Sequence, residues 1–130
     1  MTDRELINTA REAMKNAYVP YSRLPVGAAL ECEDGVVVTG CNVENAAFGS
    51  SVCAEQTAVC KAVSSGRRRF RRIAIVANSK NYYYPCGNCR QFLNEFAPNI
   101  EILSVRGDGR YVSYRLSDLY PKPYISELNL

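Results

Sequence analysis

Apolar residues recur along this chain with two different periods. Leu6, Ile7, Ala10, Ala13, Met14 and Ala17 return every three or four positions, the spacing of one helical stripe. Thr2-Asp3-Arg4-Glu5 before them is a capping box, so a helix of about four turns begins at Thr2 and ends by Pro20. The period then shortens. Pro25 to Cys32 reads as a strand, Glu33-Asp34-Gly35 as a turn, and Val36 to Cys41 as the returning strand of a hairpin. Val36-Val37-Val38 lacks alternation, which predicts that this strand is buried on both faces.

Asn42 to Val52 is a loop of small and polar residues. Cys53 opens a second helix, with Ala54, Ala58, Val59, Ala62 and Val63 inward and Gly66 closing it. Its many alanines predict close packing against a sheet or another helix. Arg67 to Arg72 is the one charge run. It reads as a solvated connection anchored by Phe70, with a nucleic-acid patch as the alternative. Ile73 to Ala77 is a short buried strand, and Asn78 to Tyr84 a loop with three consecutive tyrosines. Pro85-Cys86-Gly87-Asn88-Cys89 starts a third helix with Phe92, Leu93 and Phe96 inward. Ile100 to Val105 and Tyr111 to Arg115 are strands joined by Gly107-Asp108-Gly109. Ser117 caps a short helix through Leu119, stopped by Pro121 and Pro123, and a tail runs from Tyr124 to Leu130. The order predicts an α/β domain over residues 1–130 with a mixed five-stranded sheet, no repeats and no internal linker.

Composition narrows the class. A chain of 130 residues, 47% hydrophobic and 22% charged, can bury a core without disulfides. A net charge of +3 is too small to imply a nucleic-acid or membrane partner, and no apolar run is long enough to span a bilayer. The polar N-terminus lacks a signal-peptide pattern. Six cysteines in that context predict reduced thiols in the cytoplasm, with metal ligation favoured over disulfides. Histidine is absent, which excludes a Ser-His-Asp triad and any zinc site with a histidine ligand.

The candidate chemistry lies in Cys53-Ala54-Glu55 and Pro85-Cys86-Gly87-Asn88-Cys89, the two halves of one Zn2+ site. Cys53, Cys86 and Cys89 supply three thiolates and leave the fourth tetrahedral position for water, the pattern of a catalytic zinc. Glu55 is placed to take a proton from that water. Both stretches start helices, whose free N–H groups favour negative charge. Cys32, Cys41 and Cys60 have no ligand spacing and read as buried core thiols. Cys60 is about 10 Å along the helix from Cys53, too far to be a fourth ligand.

Cys-x-Glu and Pro-Cys-x-x-Cys, 33 residues apart from Cys53 to Cys86, resemble the cytidine deaminase family, specifically its small all-cysteine, homotetrameric branch. Tyr21-Ser22 followed by Val26-Gly27-Ala28-Ala29 looks like that family's first strand, and Cys41-Asn42-Val43-Glu44-Asn45-Ala46-Ala47 like its sugar-binding stretch. The similarity runs from about Thr2 to Tyr124 and implies a three-layer fold with helices on both faces of the sheet. It implies hydrolytic deamination of cytidine or deoxycytidine, with Glu55 shuttling the proton and attack at C4 of cytosine. It also implies that Asn42 and Glu44 hold the ribose 3′-hydroxyl, that the backbone of Ala54 and the carbonyl before Pro85 contact the base, and that several subunits share each pocket. Asn42 and Glu44 as simple loop caps are the plainer alternative.

Three positions depart from the family pattern. Gln56 stands where all-cysteine relatives usually carry arginine, leaving helix dipoles and Arg90 to offset the thiolates; a changed pH optimum or slower chemistry is expected. Leu24 replaces an aromatic that lines the pocket. Phe48 replaces a tyrosine that reaches a neighbouring subunit's nucleoside. Tyr124 matches a C-terminal aromatic that packs over a neighbour's base; a surface aromatic on a frayed tail is its alternative. These departures keep open a deaminase of a modified cytosine nucleoside such as blasticidin S. A polynucleotide-editing deaminase and a non-enzymatic zinc module, which would need four protein ligands, are the remaining readings.

Overall fold

The computed structural model describes residues 1–127; Leu128, Asn129 and Leu130, the end of the expected tail, lie outside the described residues. The elements in order are α1 (Asp3–Met14), β1 (Val26–Cys32), β2 (Val37–Cys41), a 3-10 turn (Phe48–Ser50), α2 (Ala54–Ser64), β3 (Phe70–Ala77), α3 (Gly87–Asn94), β4 (Glu101–Val105), β5 (Tyr111–Arg115) and α4 (Leu116–Leu119). One mixed sheet has the strand order β2-β1-β3-β4-β5. β1 is antiparallel to both β2 and β3, β3 is parallel to β4, and β4 is antiparallel to β5.

This order makes β2, β3 and β4 run in the same direction. α2 and α3 are therefore crossover helices that start at the same end of the sheet, beyond the carboxyl ends of β2 and β3. Open α/β sheets place ligand sites at that end. Three layers result. Leu6, Ile7 and Ala10 of α1 pack on Ala29, Ala74, Val76, Leu103 and Val105 on one face. On the other face, Ala54, Ala58 and Val59 of α2 and Leu93 of α3 cover Ala28, Leu30, Ile73 and Ile75.

Two glycines set the helix-to-sheet distance. A Cβ on Gly27 would lie 2.1 Å from the Ala10 carbonyl oxygen, and one on Gly40 would lie 2.4 Å from that of Ala54. Only glycine lets the backbones approach so closely. The alanine-rich face of α2 thus seats directly on Gly40.

Local expectations needed revision in five places. α1 keeps its Thr2 capping box but stops at Met14, and the chain turns well before Pro20. β2 is an edge strand, so its valines are only half-buried; Val37 packs on the α1 side and Val38 on the α2 side, and among the described residues no strand pairs with its outer edge. β3 begins at Phe70 and takes Arg71 and Arg72 into the sheet. The reason is Glu31, which stands opposite Arg72 in the register and accepts its Nε–H at 3.0 Å, while Asp3 holds the same guanidinium. Phe70 is buried against the Phe96 ring, centroids 5.8 Å apart, as a strand residue and not as a loop anchor. Ser117 lies inside α4; Arg115 occupies its N-cap, where the Asp118 carboxylate accepts the Arg115 backbone N–H.

Candidate metal centre and nucleoside cavity

Cys53 and Cys86 are the N-cap residues of α2 and α3, both in extended conformation, and Cys89 lies one turn into α3. The shared direction of β2 and β3 brings these helix starts together. The three sulfurs lie within 4.8 Å of one another. Tetrahedral zinc with bonds of about 2.3 Å needs sulfurs about 3.8 Å apart, so the cluster closes on a metal by shifts of about 1 Å or less. Cys89 is buried, Cys53 half-buried and Cys86 exposed. The Cys86 sulfur also accepts the backbone N–H of Cys89 at 3.5 Å.

Cys53 is drawn toward ionisation. Its hydrogen bond with the Cys89 thiol draws it down to about 7, against burial and the nearby Glu55. The same partnership, followed by burial, pushes Cys89 up. Gln56 is buried and points its Nε2–H at the Cys89 sulfur, 3.9 Å away. It brings a dipole but no charge. Arg90 uses its guanidinium elsewhere, donating to the carbonyls of Pro85 at 2.8 Å and Leu119 at 2.7 Å. It anchors the cysteine loop to α4.

Glu55, the second residue of α2, is fully buried, and among the described residues neither carboxylate oxygen has a hydrogen-bond partner. Burial raises its pKa above the ordinary carboxylate value. An unpartnered buried carboxylate is costly, and it fits a group that exchanges a proton with a bound molecule. Three thiols plus this orphaned acid suit a catalytic zinc with three protein ligands. Cys41 is half-buried and Cys32 buried, and neither joins the cluster. Cys60, expected in the core, is instead exposed on the outer side of α2.

A cavity of about 240 Å³ opens beside the cluster, and Leu24, Asn42, Glu44, Cys53 and Ala54 line it together. Asn42 and Glu44 also brace their own loops. The Asn42 amide accepts the Val26 N–H and donates to the Leu24 carbonyl, both at 2.9 Å. The Glu44 carboxylate accepts the backbone N–H groups of Tyr21 and Ser22 and the Ser22 hydroxyl. Those donors hold Glu44 below the usual carboxylate range, the hydroxyl most of all. Loop cap and cavity wall are therefore one role, since the bonds aim these side chains.

Phe48 and Tyr124 are not in this cavity, and each is 74% exposed. Phe48 meets Tyr21 edge-on, ring centroids 5.6 Å apart, beside an adjoining cavity of about 350 Å³ that shares Ser22, Glu44 and Ser51. Tyr124 is held through its carbonyl by Gln91 at 3.0 Å. The expected site set omitted Tyr83, which lines the cavity. Nothing in the run Tyr82-Tyr83-Tyr84 marks which ring turns inward. Tyr84 is exposed against Tyr114, and Arg106 lies over the Tyr82 ring.

Residues 1–103 match the family described as the cytidine and deoxycytidylate deaminase zinc-binding region. A cytidine deaminase of Halalkalibacterium halodurans is 44% identical over 129 residues, covering 96% of each chain. The crystal structure of cytidine deaminase from Burkholderia pseudomallei superposes with a TM-score of 0.93 at 41% identity, covering 95% of this chain and all of that one. A blasticidin-S deaminase of Bacillus cereus is 29% identical over 130 residues, covering 94% of this chain and 91% of its own.

Proposed function

The chain belongs to the cytidine and deoxycytidylate deaminase family, and on that premise we propose that it is a zinc-dependent hydrolase converting cytidine and deoxycytidine to uridine and deoxyuridine. The observation that carries this reading is the buried, unpartnered Glu55 beside three convergent cysteine sulfurs.

Cys53, Cys86 and Cys89 hold the metal. Zinc there supplies Lewis acidity that lowers the pKa of a water ligand. Glu55 takes one proton of the attacking water and passes it to N3 of the base; it then takes the remaining hydroxyl proton as the C4 carbonyl forms and delivers it to the C4 amino group, which leaves as ammonia. Its raised pKa suits both directions of transfer. Asn42 and Glu44 hold the sugar hydroxyl with the amide and carboxylate capacity left free by the loop bonds. The base lies along Leu24 and the backbone of Ala54.

A modified nucleoside such as blasticidin S is the weaker reading, since identity to the blasticidin-S deaminase is 29% against 44% for the cytidine deaminase. We place the enzyme, as one domain over residues 1–130, in pyrimidine salvage in the cytoplasm. Six free cysteines suit a reducing compartment. The exposed Phe48 and Tyr124 support a homotetramer in which both rings complete neighbouring pockets.

The test is loss of cytosine absorbance with zinc-loaded protein. Wild type should turn over cytidine, and Glu55→Ala should keep one zinc per chain while losing at least about 10³-fold in kcat. Retained turnover in Glu55→Ala would remove its assigned role.

A further inference from the structure

The arginine run is the one motif that the deaminase reading leaves without a role. In the structure it lines a groove. Two open cavities, about 580 and 340 Å³, are both walled by Arg69 and Glu33 and so adjoin. Arg67 and Arg68 line the first, and Arg71 and Arg115 the second. The groove lies at the amino end of β3, whereas the cysteine cluster lies beyond its carboxyl end. The eight residues of β3 keep the two apart by roughly 25 Å.

A net charge of +3 averaged over 130 residues implies no partner. The fold concentrates it. Five arginines and two carboxylates, Glu33 and Asp34, line the groove, a surplus of three positive charges. That surplus equals the charge of the whole chain, so the basic and acidic residues elsewhere cancel. Arg68 and Arg69 are exposed, and among the described residues no carboxylate pairs with either. The other three are braced: Arg67 by Asp34 at 3.0 Å, Arg71 by the Glu33 carbonyl at 3.4 Å and Arg115 by the Asn99 carbonyl at 3.2 Å. Each such bond takes one of a guanidinium's five donors and holds the others in place.

We propose that this groove docks the phosphate backbone of a double-stranded nucleic acid, without reading its bases, at a site separate from the nucleoside cavity. Every basic group in it is arginine, whose planar fork matches phosphate oxygens two at a time. A protein partner would need an apolar anchor, and a stable hold on a bilayer needs inserted apolar groups. The run's own aromatic, Phe70, is instead buried against Phe96. It therefore offers no ring for the stacking that single strands use. The bases of a duplex are already stacked, and charge alone makes the contact. This inference is independent of the deaminase reading.

The experiment uses zinc-loaded, full-length protein and a fluorescein-labelled DNA duplex of about 20 base pairs, followed by anisotropy across a range of salt. Micromolar binding is expected at about 50 mM salt whatever the sequence, with log K falling against log salt at a slope of about −3 to −4. The double variant Arg68→Ala, Arg69→Ala should bind at least about tenfold more weakly and flatten the slope by about 2, one for each lost phosphate contact. Its cytidine turnover and Tm should match wild type, since both side chains are exposed and far from the cysteines. Saturating uridine should leave the duplex bound. No binding at about 50 mM salt, an unchanged slope in the double variant, or displacement by uridine overturns the proposal. So does tighter binding of a single strand of the same length, or of vesicles rich in anionic lipid, which would assign the groove to unstacked bases or to a membrane. Salt-sensitive, Arg68- and Arg69-dependent binding in a protein that does not deaminate cytidine would overturn the deaminase reading alone.

Discussion

Replacing Gly40 with alanine should damage the metal centre without touching a ligand. The new Cβ would lie 2.4 Å from the Ala54 carbonyl oxygen, 2.5 Å from the Ala58 nitrogen and 3.1 Å from the Ala58 Cα. All three are helix backbone atoms, so no side chain can rotate aside. Restoring ordinary contact requires α2 to move off the sheet by about 1 Å, and overpacking of this kind costs about 3 kcal/mol, the upper end of the usual range. That is a large part of a domain stability of roughly 5–15 kcal/mol. For a chain of this length it lowers Tm by about 10–15 °C. The displaced helix carries Cys53 and Glu55, whereas Cys86 and Cys89 stay with α3. Binding zinc pulls Cys53 back, so strain reappears as weaker binding, a factor of ten for each 1.4 kcal/mol or so. The assay is calorimetric melting of the zinc-loaded protein together with zinc transfer to a competing chelator. Gly49→Ala is the control, because a Cβ there meets nothing within 4 Å. If Gly40→Ala melts within about 2 °C of wild type and holds zinc equally well, the close helix approach is not what positions the ligand.

Two further outcomes follow from polar groups away from the zinc. Arg72→Ala should destabilise the protein by about 3 kcal/mol in denaturant titrations, because Glu31 is left as a nearly unpaired buried charge; its side chain is 4% exposed, and Arg71 reaches it only at 3.9 Å. Adding Glu31→Gln should restore most of the loss, and a double variant as unstable as the single one would refute this account. Glu44 titrates below the ordinary carboxylate value, so its bonds to Tyr21 and Ser22 are intact above about pH 4.5 and are lost as pH falls through the depressed value. Amide exchange at Tyr21 and Ser22, corrected for intrinsic rates, should quicken across that window, and Glu44→Gln should remove the transition.

The sequence alone determined the chemistry and the local elements of this protein. A Cys-x-Glu and a Cys-x-x-Cys are matters of residue type and spacing, so Cys53, Glu55, Cys86 and Cys89 stood out as candidates without coordinates, and the fold brings the three sulfurs within 4.8 Å of one another. Helical and strand periods are also local, which is why α1, the hairpin and the three later strands appear near their expected positions. Strand order is not local. It makes β2 an edge strand, which a run of valines cannot reveal, and it draws Arg71 and Arg72 into β3 because Glu31 arrives beside Arg72 from 41 residues away. Only the tertiary structure decided that α2 and α3 start at one end of the sheet, that Glu55 lies there without a hydrogen-bond partner among the described residues, and that Tyr83 lines the cavity while Tyr84 meets Tyr114 at the surface. Those outcomes depend on backbones meeting across long sequence separations, at the distance that Gly27 and Gly40 permit.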